Sequence, residues 1–249
     1  MAARLRFLGA ILLYLILWLA VERLFRIEYF IVPPALSVLS SLVGDLPNLW
    51  NHSAVTLQEA LIGLAVGTGM GMALALLFLF WPLSEELIYP GAVVLRSLPF
   101  VAIAPILILA LGGGIWPKVT VVVIASFFAI MVNFLRGLRT IDKELLALFR
   151  VMNASKWQTF AQLRLPYSLP FFFKGFEVSA SSAVVVAIVG EVLASDRGLG
   201  YLILVSKYDF KMEDLYADMI VAAVLSLAFV AGAKLLERLV IRWEETTPW

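Results

Sequence analysis

Apolar and polar positions alternate along this chain over distances far longer than a helical turn or a strand pleat. Runs free of ionisable residues cover 7–21, 60–84, 97–117, 119–135, 178–190 and 219–233. A helix that crosses a bilayer needs about 20 mostly apolar residues. The runs at 60–84 and 97–117 reach that length alone, and the others reach it by taking in a flanking charge such as Glu22, Glu177 or Glu191. A charge at that depth belongs against protein or water rather than lipid. The pattern predicts an all-α integral membrane protein with six transmembrane helices packed as a bundle, several of them with a polar face.

Composition agrees. Hydrophobic residues make up 62% of the 249, charged ones 15%, and the mean hydropathy is +0.97. Soluble domains carry roughly 25% charged residues, so the surplus apolar surface must face lipid. A net charge of +1 gives no reason to expect nucleic acid. With no cysteine and a single histidine, His52, disulfides and thiolate or histidine metal sites are not expected. With six spans both termini share one side. Placing that side in the cytoplasm puts 13 of the 19 Lys and Arg there, as the positive-inside rule asks.

The chain divides into an N-terminal part, 1–55, and a five-helix core, 56–249. The run at 7–21 follows Arg4 and Arg6 and precedes Glu22-Arg23, which suits an uncleaved anchor better than a signal peptide. Pro33-Pro34 and Pro47 break the next segment, an extracytoplasmic stretch with a short amphipathic helix and His52 in a solvated loop. The second span, from about Thr56 to Trp81, carries Gly63, Gly67 and Gly71 at four-residue spacing, a stripe that lets a second helix approach closely. Glu59 sits at its outer end, and Glu85-Glu86 mark an inner turn. The third span carries Arg96, Pro99 and Pro105 and is read as a kinked helix, lining a cavity or merely packing. Gly112-Gly113-Gly114 lacks the lysine and hydroxyl residue of a phosphate loop. Asn133, in the fourth span, suits either a translocation path or a helix–helix hydrogen bond.

The fifth span opens with Lys174 and Glu177, one turn apart and placed to pair. Ser182 lies on its small-residue face. Glu191, near its outer end, either lines an outer gate or pairs with Arg197. The mixed-charge loop 207–218 suits a soluble partner outside, and the last span ends in basic residues with Trp243 and Trp249 at the inner interface.

The longest charged insertion, 136–170, is patterned. Arg136, Arg139, Lys143, Arg150, Lys156 and Arg164 face only Asp142 and Glu144. The two acids suit the first turn of a helix. Leu145, Leu146, Leu148, Phe149 and Met152 form its apolar face, and Asn153, tolerant of a left-handed backbone, ends it. Ser155-Lys156-Trp157-Gln158 fits a capping box that starts a second helix, with Trp157, Phe160 and Leu163 on one side and Leu165-Pro166 as its stop. The result is a helix–turn–helix across the inner membrane face.

This stretch resembles the cytoplasmic motif of bacterial ABC importer permeases: Glu-Ala-Ala, three residues, Gly, nine residues, Ile, one residue, Leu-Pro. Setting Asn153 on the motif glycine puts Leu163 on its isoleucine and Leu165-Pro166 on its Leu-Pro. Ala154-Ser155-Lys156-Trp157-Gln158 is similar to the usual continuation. The motif's first triplet becomes Ala147-Leu148-Phe149, without the glutamate. VPPALSVLSSL, SLPFVAIAPILILALGGG and GEVLASDRGLGYLI also look like family segments, so the resemblance covers nearly the whole chain. It is strongest to the branch serving sulfonates, taurine, nitrate and pyrimidine or flavin precursors.

The resemblance implies a type I ABC importer permease fold in the inner membrane, paired as a homodimer. A cytoplasmic ATPase dimer holds ATP and Mg, an outer solute-binding protein delivers the solute, and this chain holds no cofactor. Coupling contacts would fall on Ala147, Leu148, Phe149, Asn153, Ala154, Ser155, Trp157, Phe160, Leu165 and Pro166. Candidate path or gate residues are Arg96, Asn133, Ser182 and Glu191. The rivals are a passive channel, which needs no such segment, and an intramembrane enzyme, which one histidine and no cysteine make implausible.

Overall fold

The computed structural model describes residues 31–241, together with Gly9, Leu13 and Trp18. The first apolar run, the N-terminal basic residues and Trp243 and Trp249 therefore lie outside the described residues. Within them the chain is helical, with no strand. In chain order the helices are α1 (Ala35–Gly44), α2 (Leu46–Phe80), α3 (Pro82–Ser97), α4 (Phe100–Leu111), α5 (Trp116–Arg139), α6 (Lys143–Val151), α7 (Lys156–Thr159), α8 (Leu165–Ala194), α9 (Leu199–Tyr208) and α10 (Met212–Val240). Four stretches are long and apolar enough to cross a membrane: α2, α5, the run Lys156–Leu193 and α10. The pair α3 and α4 qualifies together as a fifth, broken span.

Three element boundaries differ from the sequence reading. Helix α2 starts at Leu46, not near Thr56, so the divide expected at residue 55 falls inside a helix. Pro47 sits in its first turn, where a missing N–H costs nothing. The third span is not one kinked helix: α3 and α4 meet at 104°. The break is at Leu98-Pro99, where proline forces the preceding residue out of helical geometry and Leu98 is extended (φ −72°, ψ 135°). Pro105 stays inside α4. Leu165-Pro166 does not stop its helix. A π-helical turn, Phe160–Arg164, links α7 to α8, and the Leu165 N–H bonds back to the Phe160 carbonyl. The wider turn carries the chain past the proline without a break.

Helix α5 is the centre of the bundle, with α2 on one side and α8 on the other. Val122, Ile130, Met131, Phe134 and Leu138 are fully buried along it. The contact with α2 is close because of glycine. A methyl group on Gly63 would lie 2.5 Å from Val122 Cβ, on Gly67 2.9 Å from Ser126 Cβ, and on Gly71 2.6 Å from the Phe127 carbonyl oxygen. Gly175 of α8 meets Ala129 and Asn133 in the same way, and Gly137 meets Ser168 and Phe171. In lipid, where apolar surface gains nothing from leaving water, such backbone-to-backbone approach is the main source of helix association. Helix α10 buries little of its length and presents Met219, Val224 and Leu227 outward, as a lipid-facing span does.

Three polar expectations change as well. Glu85 lies on α3 rather than in a turn, and its carboxylate receives two bonds from Arg139 at the end of α5, at 3.0 and 2.5 Å. Glu177 pairs across helices with Lys234 of α10 at 3.0 Å, not with Lys174. Most of the expected loop 207–218 is helical: only Asp209 to Lys211 separate α9 from α10, and Asp218 is buried under Ser206 at 3.0 Å. On α1, Ser41 donates to Asp214 of α10 at 2.5 Å and ties this short helix to the bundle.

Replacing Gly71 by alanine pushes a methyl into backbone that cannot step aside, and should cost about 1–3 kcal/mol, the usual range for overpacking. Gly69→Ala, where nothing lies within 4 Å, should not destabilise and gains up to about 1 kcal/mol from alanine's better helix propensity. Thermal unfolding of the two variants in detergent distinguishes them.

Candidate functional site

The central charged stretch folds into an elbow. Asp142 precedes α6 and Glu144 lies in its first turn. No residue of α6 is buried, although Leu145, Leu148 and Val151 belong to it. The helix ends at Val151, and two residues on stands Asn153, whose φ of 54° is left-handed. The Ala154 N–H returns to the Phe149 carbonyl at 2.9 Å and closes the turn. Asparagine is one of the few side chains other than glycine for which this conformation is cheap. Ser155 then accepts from the Gln158 N–H at 3.2 Å while Gln158 accepts from the Ser155 N–H at 2.7 Å, a complete capping box. Two local devices thus set the angle between α6 and α7.

The elbow is anchored on one side and bare on the other. Phe160 is buried, with ring contacts to Phe80 at 5.6 Å and Trp157 at 5.5 Å. Arg164 donates to the Leu138 carbonyl at 2.6 Å and fastens the π turn to the end of α5. Leu148, Val151, Met152 and Trp157 are exposed at 52, 85, 69 and 69%. Of the motif triplet, Ala147 and Leu148 are exposed and Phe149 is half-buried; Asn153 and Ser155 are exposed, and Ala154, Leu165 and Pro166 half-buried.

At the opposite end of the spans lies a buried polar cluster. Glu191 is fully buried. It accepts from Thr56 Oγ1 at 2.7 Å and from the Gly200 N–H at 2.7 Å, and does not pair with Arg197 as the sequence suggests. Thr56 Oγ1 in turn accepts from the Leu199 N–H at 2.9 Å. Glu59 is fully buried, 3.4 Å from the Lys118 ammonium. Lys118, itself buried, also donates to Ser195 at 2.8 Å. His52 is half-buried on α2, not in a solvated loop: its Nδ1 accepts from the Gly198 N–H at 3.0 Å and its ring stacks on Tyr201. Gly198 has φ 103°, and a Cβ there would fall 2.1 Å from a Glu191 oxygen. Gly200 is crowded alike, with Ile188 O at 2.4 Å. The two glycines let the loop close over the carboxylate. The cluster joins α2, α5, α8 and α9 through charges that would cost several kcal/mol each if left unpaired.

Thr56, Glu59 and Lys118 are missing from the sequence-based set, although a signal existed. Counting back four residues from Gly63 reaches Glu59, on the same helix face. A face that packs tightly on α5 at Gly63 must present Glu59 to α5 as well. The remaining candidates do not converge. Arg96 is exposed on α3, its guanidinium 4.8 Å from the Phe128 ring centre. Asn133 donates to Ala129 of its own helix at 2.8 Å, and Ser182 to Val178 and Ser179 of its own helix. Among the described residues no group of His, Asp and Glu is placed to hold a metal ion.

Comparison with known proteins adds the following. The family model described as binding-protein-dependent transport system inner membrane component matches residues 65–244. The chain is 31% identical over 235 residues to the formylaminopyrimidine transport permease protein ThiX of Halalkalibacterium halodurans, covering 94% of each chain. It is 34% identical over 236 residues to the riboflavin transport system permease protein RibX of Chloroflexus aurantiacus, covering 94% of this chain and 88% of that one. It is 34% identical over 200 residues to a putative aliphatic sulfonates transport permease protein, SsuC, of Escherichia coli, covering 78 and 74%. Among solved structures, the inward-facing MetNI methionine ABC transporter superposes with a TM-score of 0.62 at 17% identity, over 79% of this chain and 96% of that one. An amino acid ABC transporter with histidines gives 0.63 at 16%, over 80 and 96%. The last two establish the type I importer permease fold.

Thr56→Val leaves a Glu191 oxygen and the Leu199 N–H without their partner, each costing about 1–3 kcal/mol when buried. Thr56→Ser, which keeps the hydroxyl, should retain most of the stability. Equal melting temperatures for the valine and serine variants would contradict this role for Thr56.

Proposed function

The chain belongs to the family of binding-protein-dependent transport system inner membrane components, and from that premise we propose how this permease subunit of an ABC importer is driven and what it carries. Two copies pair in the membrane with both termini in the cytoplasm. A cytoplasmic ATPase dimer seats the two elbows in surface grooves. The chain carries no Walker motif, so nucleotide chemistry belongs to that partner. Closure of the ATPase around ATP pushes on α6 and α7, and the push reaches the spans through Arg164 and the continuous run Lys156–Leu193. A binding protein delivers solute at the outer face, where the Glu191 cluster holds the mouth shut. Arg96 and Ser182 line the path, and Asn133 serves the α5–α8 contact.

The observation that carries this reading is the exposed apolar ridge of Leu148, Val151, Met152 and Trp157 on an elbow whose angle is locally determined. A plain connecting loop has no use for that much greasy surface outside the bundle. With Ala147 in place of the family's glutamate, the partner is gripped by packing rather than by a carboxylate.

The solute we propose is a small heterocycle of the vitamin-precursor kind, a pyrimidine or a flavin. Support comes from the relatives named for formylaminopyrimidine and riboflavin transport, which match over 94% of this chain, against 78% for the sulfonate relative. Few charges stand in the spans, which suits an uncharged aromatic cargo.

Reconstitution of the permease with its ATPase and binding protein tests the proposal. Uptake should require ATP, and solute-loaded binding protein should stimulate hydrolysis. Conduction by the permease alone, without ATP, would establish the passive channel instead. Trp157→Ala removes exposed surface without opening a core cavity, so the subunit should insert and fold normally while uptake per ATP falls at least tenfold. Unaltered uptake in that variant would refute docking through the ridge.

A further inference from the structure

The elbow and the neighbouring end of α2 enclose a groove of about 430 Å³. Its floor is apolar, made by Phe80, Leu146 and Phe160. Its wall carries three cations, Arg150, Lys156 and Arg164, and none of its lining residues is acidic. Arg164 commits one N–H to the Leu138 carbonyl, and a guanidinium has five to give, so its charge and remaining donors stay available. The acid at the nearby end of α3, Glu85, is already held by Arg139. The ridge residues Leu148, Val151 and Met152 do not line the groove, although Ala154 and Phe160, two of the expected coupling contacts, do.

A greasy floor under clustered cations, at the level where spans leave the membrane, matches a phosphodiester with acyl chains attached. A soluble anion would satisfy the cations and leave exposed Phe80 and half-buried Leu146 facing water. We infer that this groove binds an anionic phospholipid of the cytoplasmic leaflet. The headgroup phosphate sits on Arg150 and Lys156, and an acyl chain lies along Phe80 and Leu146. That leaflet is rich in anionic lipid, and basic pockets between spans on that side capture such headgroups. The inference rests on the cytoplasmic placement of the elbow proposed above but not on the identity of the solute. Its consequence is mechanical: the elbow leans on a lipid, so anionic lipid stiffens the connection between ATPase and spans.

The test is native mass spectrometry of the complete transporter, delipidated in detergent and offered equal concentrations of phosphatidylglycerol and phosphatidylcholine. The wild type should retain phosphatidylglycerol in preference. The double substitution Arg150→Gln with Lys156→Gln should weaken that retention roughly 30-fold, about fivefold for each basic residue at a membrane surface. Both side chains are exposed, so the complex should still assemble, which size-exclusion chromatography reads independently. Equal retention of the two lipids by the wild type, or unchanged retention by the double variant, overturns the inference. Displacement of the lipid by soluble glycerol phosphate overturns it in favour of a free anion. Loss of the ATPase with lipid retention intact overturns it too, and assigns the cations to the protein partner.

Discussion

The close approach of α2 to α5 is the constraint on which the rest of this structure depends. Three glycines let two backbones come within van der Waals contact, so the pair behaves as one stiff unit in a solvent that offers no hydrophobic drive for helices to associate. Both functional ends hang on that unit. At one end, α5 brings Lys118 against Glu59 of α2 and against Gly190 of α8. At the other, the last residues of α5 hold Arg164 of the elbow through the Leu138 carbonyl and Glu85 of α3 through Arg139. Packed helices and named bonds join the elbow to the Glu191 cluster.

The two ends are built on opposite principles. The Glu191 cluster is buried: Glu191 accepts from the Thr56 hydroxyl and the Gly200 N–H, while Glu59 faces the Lys118 ammonium at 3.4 Å and its carboxylate oxygens accept no hydrogen bond. Breaking it would leave buried charge without its partners, which costs several kcal/mol. The elbow is wet on its outer side. Its shape comes from turn chemistry at Asn153 and a capping box at Ser155, and its leucine, valine, methionine and tryptophan stay exposed, with Trp157 touching the chain at the Phe160 ring. Rigid geometry combined with unsatisfied apolar surface suits a part that is pushed by another protein.

What could be read from the sequence follows the range of the interactions. The elbow was legible because its devices are local. A capping box spans four residues, and a left-handed asparagine is a single position. The glycine seam was legible because its period is that of the helix. The outer cluster was not, because Thr56, Glu59, Lys118 and Glu191 meet only when three helices pack; Glu191 beside Arg197 in sequence invited a pairing that the buried partners outcompete. Two prolines misled for a related reason. Pro47 and Pro166 look like helix ends, but a first-turn position and a π turn absorb the missing N–H. At Pro99 nothing absorbs it, and the chain bends by 104°.

The central claim is that the bare ridge of the elbow is covered by a nucleotide-hydrolysing partner and moves with it. The chain has no cysteine, so a single cysteine introduced at Val151 reports on that position alone. Its reaction with a water-soluble maleimide should be fast in the isolated permease, strongly suppressed in the complex with the ATPase, and altered again when ATP is bound. Equal labelling rates in all three states would mean that the ridge touches only solvent or lipid, and would contradict the account.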